Sequence, residues 1–127
     1  FNNGKMIRDF TYIDDIVESL SRVIRKPATP NLNFDFDNTD SATSWAPYRL
    51  FNIGNSNPVN LMDYVNAIER TTGLTAKKIF TKMQPGDVEA TYANTQELES
   101  WIDFKPNTNI EEGVSLFVDW YRDFYKI

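Results

Sequence analysis

Residues 5–26 read KMIRDFTYIDDIVESLSRVIRK, and this stretch holds the pattern that decides the fold. Its first part, residues 5–13, is rich in β-branched and aromatic residues, which predicts a strand. Its second part predicts a helix, with Asp15 and Glu18 at the spacing of a capping box and Pro27 as the stop. The apolar stripe of this helix consists of Ile16, Val17, Leu20, Val23 and Ile24. Asn3-Gly4 ahead of the strand is a two-residue hairpin signal, because both residues tolerate positive φ.

The same alternation of strand and helix continues along the chain. Residues 48–53 (YRLFNI) and 77–82 (KKIFTK) predict short strands. Three further helices are predicted to begin at an Asn that is followed three residues later by an acid, and these are Asn60, Asn94 and Asn109. The fold class is therefore predicted to be α+β, with about four helices packed around short strands.

The helix from Asn60 is predicted to end at Gly73 and to bury Leu61, Val65 and Ile68. The apolar face of the last helix consists of Val114, Phe117, Val118, Tyr121, Phe124 and Tyr125. Residues 27–47 interrupt this pattern as a long polar connection between prolines. Its acids, Asp35, Asp37 and Asp40, resemble the start of a calcium loop, but the loop's required Gly and final Glu are replaced by other residues.

The composition excludes several classes of function. The chain has 127 residues, with 13 Lys and Arg against 18 Asp and Glu, and no dense basic run of the kind that nucleic acid requires. It has no Cys and no His, so disulfides, thiolate nucleophiles, Ser-His-Asp triads and the usual zinc sites are impossible within it. No apolar run approaches the roughly 20 residues of a membrane span.

Two segments carry candidate binding residues. In residues 8–12 (RDFTY), Arg8 offers a fork of N–H donors that suits a phosphate, although an ion pair with Asp9 or Glu18 is the alternative. In residues 83–88 (MQPGDV), Pro85-Gly86 predicts a turn with positive φ at the glycine. The carboxylate of Asp87 suits a sugar diol, or it stabilises the turn, and Gln84 offers both a donor and an acceptor.

The chain lacks the sequence features of a nicotinamide site. Its five glycines form no G-x-G-x-x-G turn, and no Tyr is followed four residues later by the Lys that would lower its pKa for proton transfer. We therefore expect the chain alone to bind no NAD and to contain no catalytic residues.

Four segments, taken in order, resemble the extended short-chain dehydrogenase/reductases. They are RDFTYIDDIVES (8–19), APYRLFNIGNS (46–56), KMQPGDVEATYANT (82–95) and FKPNTNIEEGVSLFVDWYRDFY (104–125). Within that superfamily the chain looks most like bacterial UDP-glucuronate 4-epimerases, cytoplasmic enzymes that oxidise sugar C4 with bound NAD, rotate the keto sugar and reduce it again. The resemblance implies that residues 1–127 are the C-terminal substrate-binding domain. It also implies an N-terminal Rossmann domain that is absent here, which would hold NAD, the catalytic residues and the homodimer contact.

The resemblance also gives the candidate residues roles in binding a UDP-sugar. Arg8 matches the family's phosphate-binding Arg, and Asp87 matches the acid that approaches the uridine ribose. Gln84 stands where UDP-galactose 4-epimerases carry a phosphate-binding Arg, so its role departs from the pattern. Two alternatives remain: a nucleotide-sugar dehydratase or decarboxylase on the same scaffold, and an acidic interaction module with no enzymatic activity.

Overall fold

The protein consists of four α-helices and one two-stranded antiparallel sheet, which confirms the α+β class. The computed structural model describes all of residues 1–127. The strands are β1 (Ile7–Arg8) and β2 (Val59–Asn60). The helices are α1 (Ile13–Arg25), α2 (Leu61–Thr72), α3 (Gln96–Ile102) and α4 (Ile110–Tyr125).

The sheet is much shorter than the strand predictions. In β1 only Ile7 and Arg8 pair, with Asn60 and Val59 of β2, so the prediction of a strand over residues 5–13 is wrong at both ends. Asn3 and Gly4 do adopt positive φ, at 51° and 79°, but they belong to a 3-10 helix and not to a hairpin. Their backbone turns the chain toward Thr81, whose carbonyl oxygen accepts a hydrogen bond from the Asn3 N–H at 2.9 Å.

Neither of the other two predicted strands forms. Residues 48–53 contribute a single antiparallel bridge, between Arg49 and Thr43, and residues 77–82 contribute no ladder. Both runs contain residues that favour strands, but no strand of this chain lies beside them to pair with their backbones. As a result Ile79 is 77% exposed and Leu50 is 57% exposed.

The predicted ends of the helices agree with the structure better than the predicted capping interactions do. The Asn109 side chain accepts a hydrogen bond from the Glu112 N–H at 2.9 Å and caps α4 as predicted. Gly73 ends α2 at φ 74°, also as predicted. The capping box of α1 is wrong, because the cap position is Tyr12 and the Asp15 carboxylate instead accepts from the distant Thr108 N–H.

Helix α2 begins at the predicted cap residue, Asn60, whereas α3 does not begin at the predicted Asn94. Asn60 occupies the cap position of α2 but its side chain donates to the Asp63 carboxylate instead of accepting from the backbone. Helix α3 begins one residue later than predicted, with Thr95 and not Asn94 at the cap position.

The core lies between α2 and α4. Ala67 of α2 packs against Val114 and Val118 of α4, and Tyr64 and Ile68 close this cluster. Burying a Val side chain contributes about 1.5–3 kcal/mol, so these two valines hold the helix pair together. The three residues predicted for the buried face of α2, Leu61, Val65 and Ile68, are all only half-buried. The reason is that α4 approaches α2 most closely at the small residue Ala67, which is buried.

Helix α1 turns a different face inward from the one its hydrophobicity predicts. Asp15 and Ser19 are buried, while Val17 is 55% exposed and Leu20 and Ile24 are also exposed. The buried polar groups are satisfied by hydrogen bonds, since Ser19 donates to the Asp15 carbonyl oxygen at 2.7 Å. Three residues of the apolar stripe of α1 therefore face solvent, and the other two, Ile16 and Val23, are half-buried.

A Trp side chain joins α1 to α3. Two cations contact the Trp101 ring, with Lys26 Nζ 4.6 Å and the Arg49 guanidinium 4.8 Å from its centroid. Its indole N–H donates to the Lys26 carbonyl oxygen at 3.2 Å. This arrangement fixes the end of α1, where the polar connection of residues 27–47 begins.

That connection contains neither helix nor strand but is ordered by local hydrogen bonds. Asp35, Asp37 and Asp40 do not converge, and Asp35 and Asp40 each accept from a backbone N–H two residues ahead. No group of three or more acidic side chains in the chain is placed to hold a metal ion. No helix is long and apolar enough to cross a membrane.

Candidate functional site

The candidate site is built on β1, which lies between two other segments. On one side β1 pairs with β2. On the other side the Ile7 N–H donates to the Glu89 carbonyl oxygen at 2.9 Å, and the Thr91 N–H donates to the Ile7 carbonyl oxygen at 3.2 Å. Residues 87–91 therefore run beside Arg8, although they are distant from it in sequence.

The structure brings Arg8 and Asp87 together. Arg8 Nη2 donates to Asp87 Oδ1 at 3.2 Å and to the Val88 carbonyl oxygen at 2.9 Å. Arg8 Nη1 donates to the carbonyl oxygens of Glu89 at 3.1 Å and of Ile7 at 2.8 Å. Four of the five guanidinium N–H donors are thus used, and Nε–H remains free.

The two alternative ion pairs of Arg8 do not form. The Asp9 carboxylate accepts hydrogen bonds only from backbone N–H groups, and Glu18 pairs with Arg22 at 2.6 Å. Arg8 is therefore committed to the segment that contains Asp87, which is the other candidate binding residue.

Asp87 follows a turn of the predicted kind. Gly86 has φ 84°, and the Asp87 N–H donates to the Gln84 carbonyl oxygen at 3.2 Å across Pro85-Gly86. Asp87 Oδ1 also accepts from the Val88 N–H at 2.8 Å, while Oδ2 accepts no hydrogen bond. Asp87 thus stabilises its turn with one oxygen and presents the other to solvent. The exposed side chain of Gln84 contacts neither Arg8 nor Asp87 through a hydrogen bond.

An apolar cleft lies elsewhere in the molecule. This cleft of about 580 Å³ runs between α2, α4 and residues 10–13, and neither Arg8 nor Asp87 lines it. Phe10 forms part of its wall and stacks on Tyr64 with ring centroids 4.2 Å apart. The Arg8–Asp87 pair therefore lies on an open surface outside the cleft. Phe10, two residues after Arg8, connects this surface to the cleft wall.

Tyr12 also lines the cleft but is unsuited to proton transfer. Burial first, and then the nearby Asp14 carboxylate, raises the pKa of the Tyr12 hydroxyl above its ordinary value of 10.0. A general base or acid works best with a pKa near the operating pH, which requires a shift in the opposite direction. Tyr12 therefore remains a neutral phenol at physiological pH.

The residues of this chain do not fit NAD. A dinucleotide needs a glycine-rich turn between a strand and a helix, where backbone N–H groups meet the pyrophosphate. In this structure β2 runs directly into α2, and β1 leads into α1 through residues 9–12, without a glycine at either junction.

Sequence reasoning did not single out Asp9, whose carboxylate lies next to the candidate pair in the chain. Its carboxylate accepts backbone hydrogen bonds from Ser56, Asn57 and Ala93, and so joins three segments at the site. Its place directly after Arg8 was visible in the sequence, but its partners are contributed by loops that only the fold brings together.

The same fold occurs in solved structures. The chain superimposes with a TM-score of 0.72 on the crystal structure of UDP-glucuronic acid 4-epimerase from Bacillus cereus in complex with UDP-glucuronic acid and NAD. The match covers 98% of this chain and 35% of that chain, at 23% sequence identity. The fold is therefore the one that such Rossmann-type epimerases contain over about a third of their length.

The chain belongs to the family described as GDP-mannose 4,6 dehydratase, whose model matches residues 1–117. It is 52% identical over 126 residues to the protein CapI of Staphylococcus aureus, covering 99% of this chain and 38% of that protein. It is 37% identical over 128 residues to UDP-glucuronate 4-epimerase 1 of Arabidopsis thaliana, covering 98% of this chain and 28% of that protein. The chain thus spans well under half the length of the curated relatives it matches.

Proposed function

We propose that this chain forms the nucleotide-binding surface of an NAD-dependent nucleotide-sugar 4-epimerase, with UDP-glucuronate as the substrate. The observation that carries the proposal is the Arg8–Asp87 pair, in which a cation and a carboxylate with one free oxygen lie 3.2 Å apart on an open surface. Family membership and the similarity to a UDP-glucuronate 4-epimerase of Arabidopsis support the choice of reaction and substrate. NAD and the residues that transfer hydride and proton are proposed to lie in a part of the protein outside this chain.

In this proposal Arg8 binds the diphosphate and Asp87 binds the ribose. A two-point contact with a phosphate group uses two parallel N–H donors of one guanidinium, but only Nε–H of Arg8 is free. Arg8 Nη2 must therefore exchange a partner, and exchange of Asp87 for phosphate releases a carboxylate that then accepts from the ribose hydroxyls. Gln84 on the adjacent turn contributes a neutral amide to the same ligand.

The test measures UDP binding to the intact protein by calorimetry, with Arg8→Ala and Arg8→Lys. A hydrogen bond to a charged group contributes about 1.5–3 kcal/mol, so Arg8→Ala should weaken UDP binding by about 10- to 150-fold. Arg8→Lys keeps the charge but loses the planar fork, so its effect should be smaller without being absent. NAD binding should be unchanged in both variants.

The control for Arg8 is Arg70→Ala, which removes an exposed arginine that pairs with Glu111 away from the site. It should leave UDP affinity unchanged. An Arg8→Ala protein with wild-type UDP affinity would show that Arg8 only supports the fold, and the proposal would lose its main residue.

The second candidate function is a nucleotide-sugar dehydratase, which the description of the matching family favours. A decarboxylase on the same scaffold is a further form of this alternative. Assays of the intact protein with UDP-glucuronate and UDP-glucose separate these activities, because an epimerase conserves the mass of the sugar while the other two lose water or carbon dioxide. An acidic interaction module with no enzymatic activity would neither bind UDP nor convert either sugar nucleotide.

A further inference from the structure

The Asp9 carboxylate shares no hydrogen-bond partner with the neighbouring Arg8 guanidinium. Its Oδ2 atom accepts from the N–H groups of Ser56 at 3.1 Å and Ala93 at 3.3 Å. Its Oδ1 atom accepts from the N–H of Asn57 at 3.3 Å. A single carboxylate therefore holds two segments that are far apart in sequence.

The segments around Asp9 are tightly packed. A Cβ placed on Gly54 would lie 2.6 Å from the Ala93 Cβ and 3.0 Å from Asp9 Oδ2, so only glycine fits there. Ser56 has φ 53°, a left-handed conformation that costs energy for a residue other than glycine. Its hydroxyl also donates to the Ala93 carbonyl oxygen at 3.1 Å. Asp9 thus stabilises a strained loop in close contact with Ala93.

Arg8 and Asp9 hold the same segment at its two ends. Arg8 binds residues 87–89, and Asp9 binds Ala93 a few residues further along. Between these points the Thr91 N–H donates to Ile7, so the whole segment is fitted to one short piece of strand. A shift of Ala93 would move the carbonyl groups that orient the Arg8 guanidinium.

We infer that Asp9 is the positioning residue for Arg8, an inference that rests on the proposed role of Arg8 in diphosphate binding. By fixing residues 54–57 and Ala93 against β1, Asp9 keeps residues 87–89 where they hold the guanidinium in its binding orientation. It acts on the ligand only through Arg8. If the Asp9 carboxylate only stabilised the fold, its loss would weaken the binding of the diphosphate and of the nucleoside to the same extent.

The test compares UDP with uridine, which lacks the diphosphate, on the intact wild-type protein and on Asp9→Asn. The Asn side chain has the same size as Asp, but its NH₂ group replaces one carboxylate oxygen. That NH₂ donor then faces a backbone N–H donor, and the hydrogen bond is lost. Coupled neighbouring residues interact by about 0.5–3 kcal/mol, so UDP binding should weaken by about 2- to 150-fold while uridine binding stays within about twofold. In the Arg8→Ala background, Asp9→Asn should have no further effect on UDP binding.

Asp15→Asn is the matched control, since Asp15 is also a buried carboxylate that accepts a backbone hydrogen bond, from Thr108 at 3.0 Å. It should lower the thermal midpoint without separating UDP from uridine. Asp9→Ser is the second variant in case Asp9→Asn does not fold, because its hydroxyl accepts one hydrogen bond without adding an opposed donor. Equal weakening of UDP and uridine, or additivity with Arg8→Ala, would overturn the inference.

A second readout separates this inference from the proposed function. In ¹⁵N NMR spectra, a guanidinium held by four hydrogen bonds gives resolved Nη signals, whereas a freely rotating one gives an averaged signal. The Arg8 signals are assigned as those that disappear in the Arg8→Lys variant. In Asp9→Asn these signals should become averaged. Resolved Arg8 signals in Asp9→Asn would overturn the positioning role. Absence of UDP binding by the wild type would instead refute the proposed function, and the NMR result would still decide the role of Asp9.

Discussion

At the scale of single residues, Glu69 is the carboxylate whose ionisation is most clearly linked to folding. It pairs with Lys78 and accepts from the Ala76 N–H at 2.7 Å, so it joins the end of α2 to the residues that follow it. The hydrogen bond from Lys78, and then that from Ala76, lower the pKa of Glu69 below its ordinary value of 4.5. The charged form is therefore favoured by folding.

We expect Glu69 to make stability depend on pH below neutrality. Its contribution is fully present above pH 4.5, the unfolded value, and is lost as the pH falls through the lower pKa of the folded state. Glu69→Gln should therefore lower the thermal midpoint at neutral pH, and its difference from the wild type should shrink below pH 4.5. Thermal unfolding of both proteins between acid and neutral pH measures this.

Glu111→Gln is the comparison for Glu69, because it removes an exposed ion pair with Arg70. Exposed pairs contribute at most about 1 kcal/mol, so this variant should remain close to the wild type throughout. A difference between Glu69→Gln and the wild type that stays constant down to acid pH would contradict the assignment.

Single residues also show where sequence reasoning ends. Arg8 and Asp87 were candidates because their chemistry suits a nucleotide, and the fold places them together. Asp9 was not a candidate, because a carboxylate bonded to backbone N–H groups has no sequence signature of its own. Its role depends on the positions of Ser56 and Ala93, which are set by the packing of distant loops.

At the scale of elements, α4 is the one α-helix whose N-cap residue accepts a hydrogen bond from the helix backbone through its side chain. Asn109→Ala should destabilise the protein by about 0.5–2 kcal/mol, because the Glu112 N–H loses its acceptor at the start of the helix that forms the core with α2. Chemical denaturation of the variant and the wild type measures the loss.

Asn60→Ala provides the contrast, since Asn60 occupies the equivalent position of α2 without making a cap hydrogen bond. Its cost should be smaller than that of Asn109→Ala. Equal costs for the two variants would mean that the intrinsic preference of the position, and not the observed hydrogen bond, determines helix stability.

Helices were predictable here and strands were not, for a physical reason. A helix satisfies its hydrogen bonds within one segment, so Gly73 and Asn109 mark the ends of α2 and α4 correctly from the sequence. A strand needs a neighbour, and neither residues 48–53 nor residues 77–82 have a partner strand in this chain. The inward face of α1 was assigned wrongly for a related reason. Hydrophobicity indicates that an apolar face is to be covered, but it does not indicate which part of a protein covers it.

At the scale of the whole molecule, the chain leaves large apolar surfaces exposed. Only 12 of its 127 residues are buried, and exposed aromatic residues follow one another along the second half of α4. In the proposed function, part of this surface contacts the region that holds NAD.

We expect the 127-residue chain alone to show no saturable binding of NAD. The reason is the absence of a glycine-rich turn at either strand-to-helix junction. Calorimetric titration of the chain with NAD tests this, and a UDP titration of the same sample shows whether the nucleotide surface is intact. Saturable binding in the micromolar range would contradict the placement of the cofactor outside this chain.

The contact between α1 and α3 has an optical consequence. Trp45 and Trp120 are 65% and 53% exposed, so Trp101, contacted by Lys26 and Arg49, is the indole least accessible to a quencher. Positive charges beside an indole shift its emission, because the excited state redistributes electrons across the ring. Fluorescence that resists quenching by acrylamide should therefore report on the docking of these helices, and its loss would signal their separation before the rest of the chain unfolds.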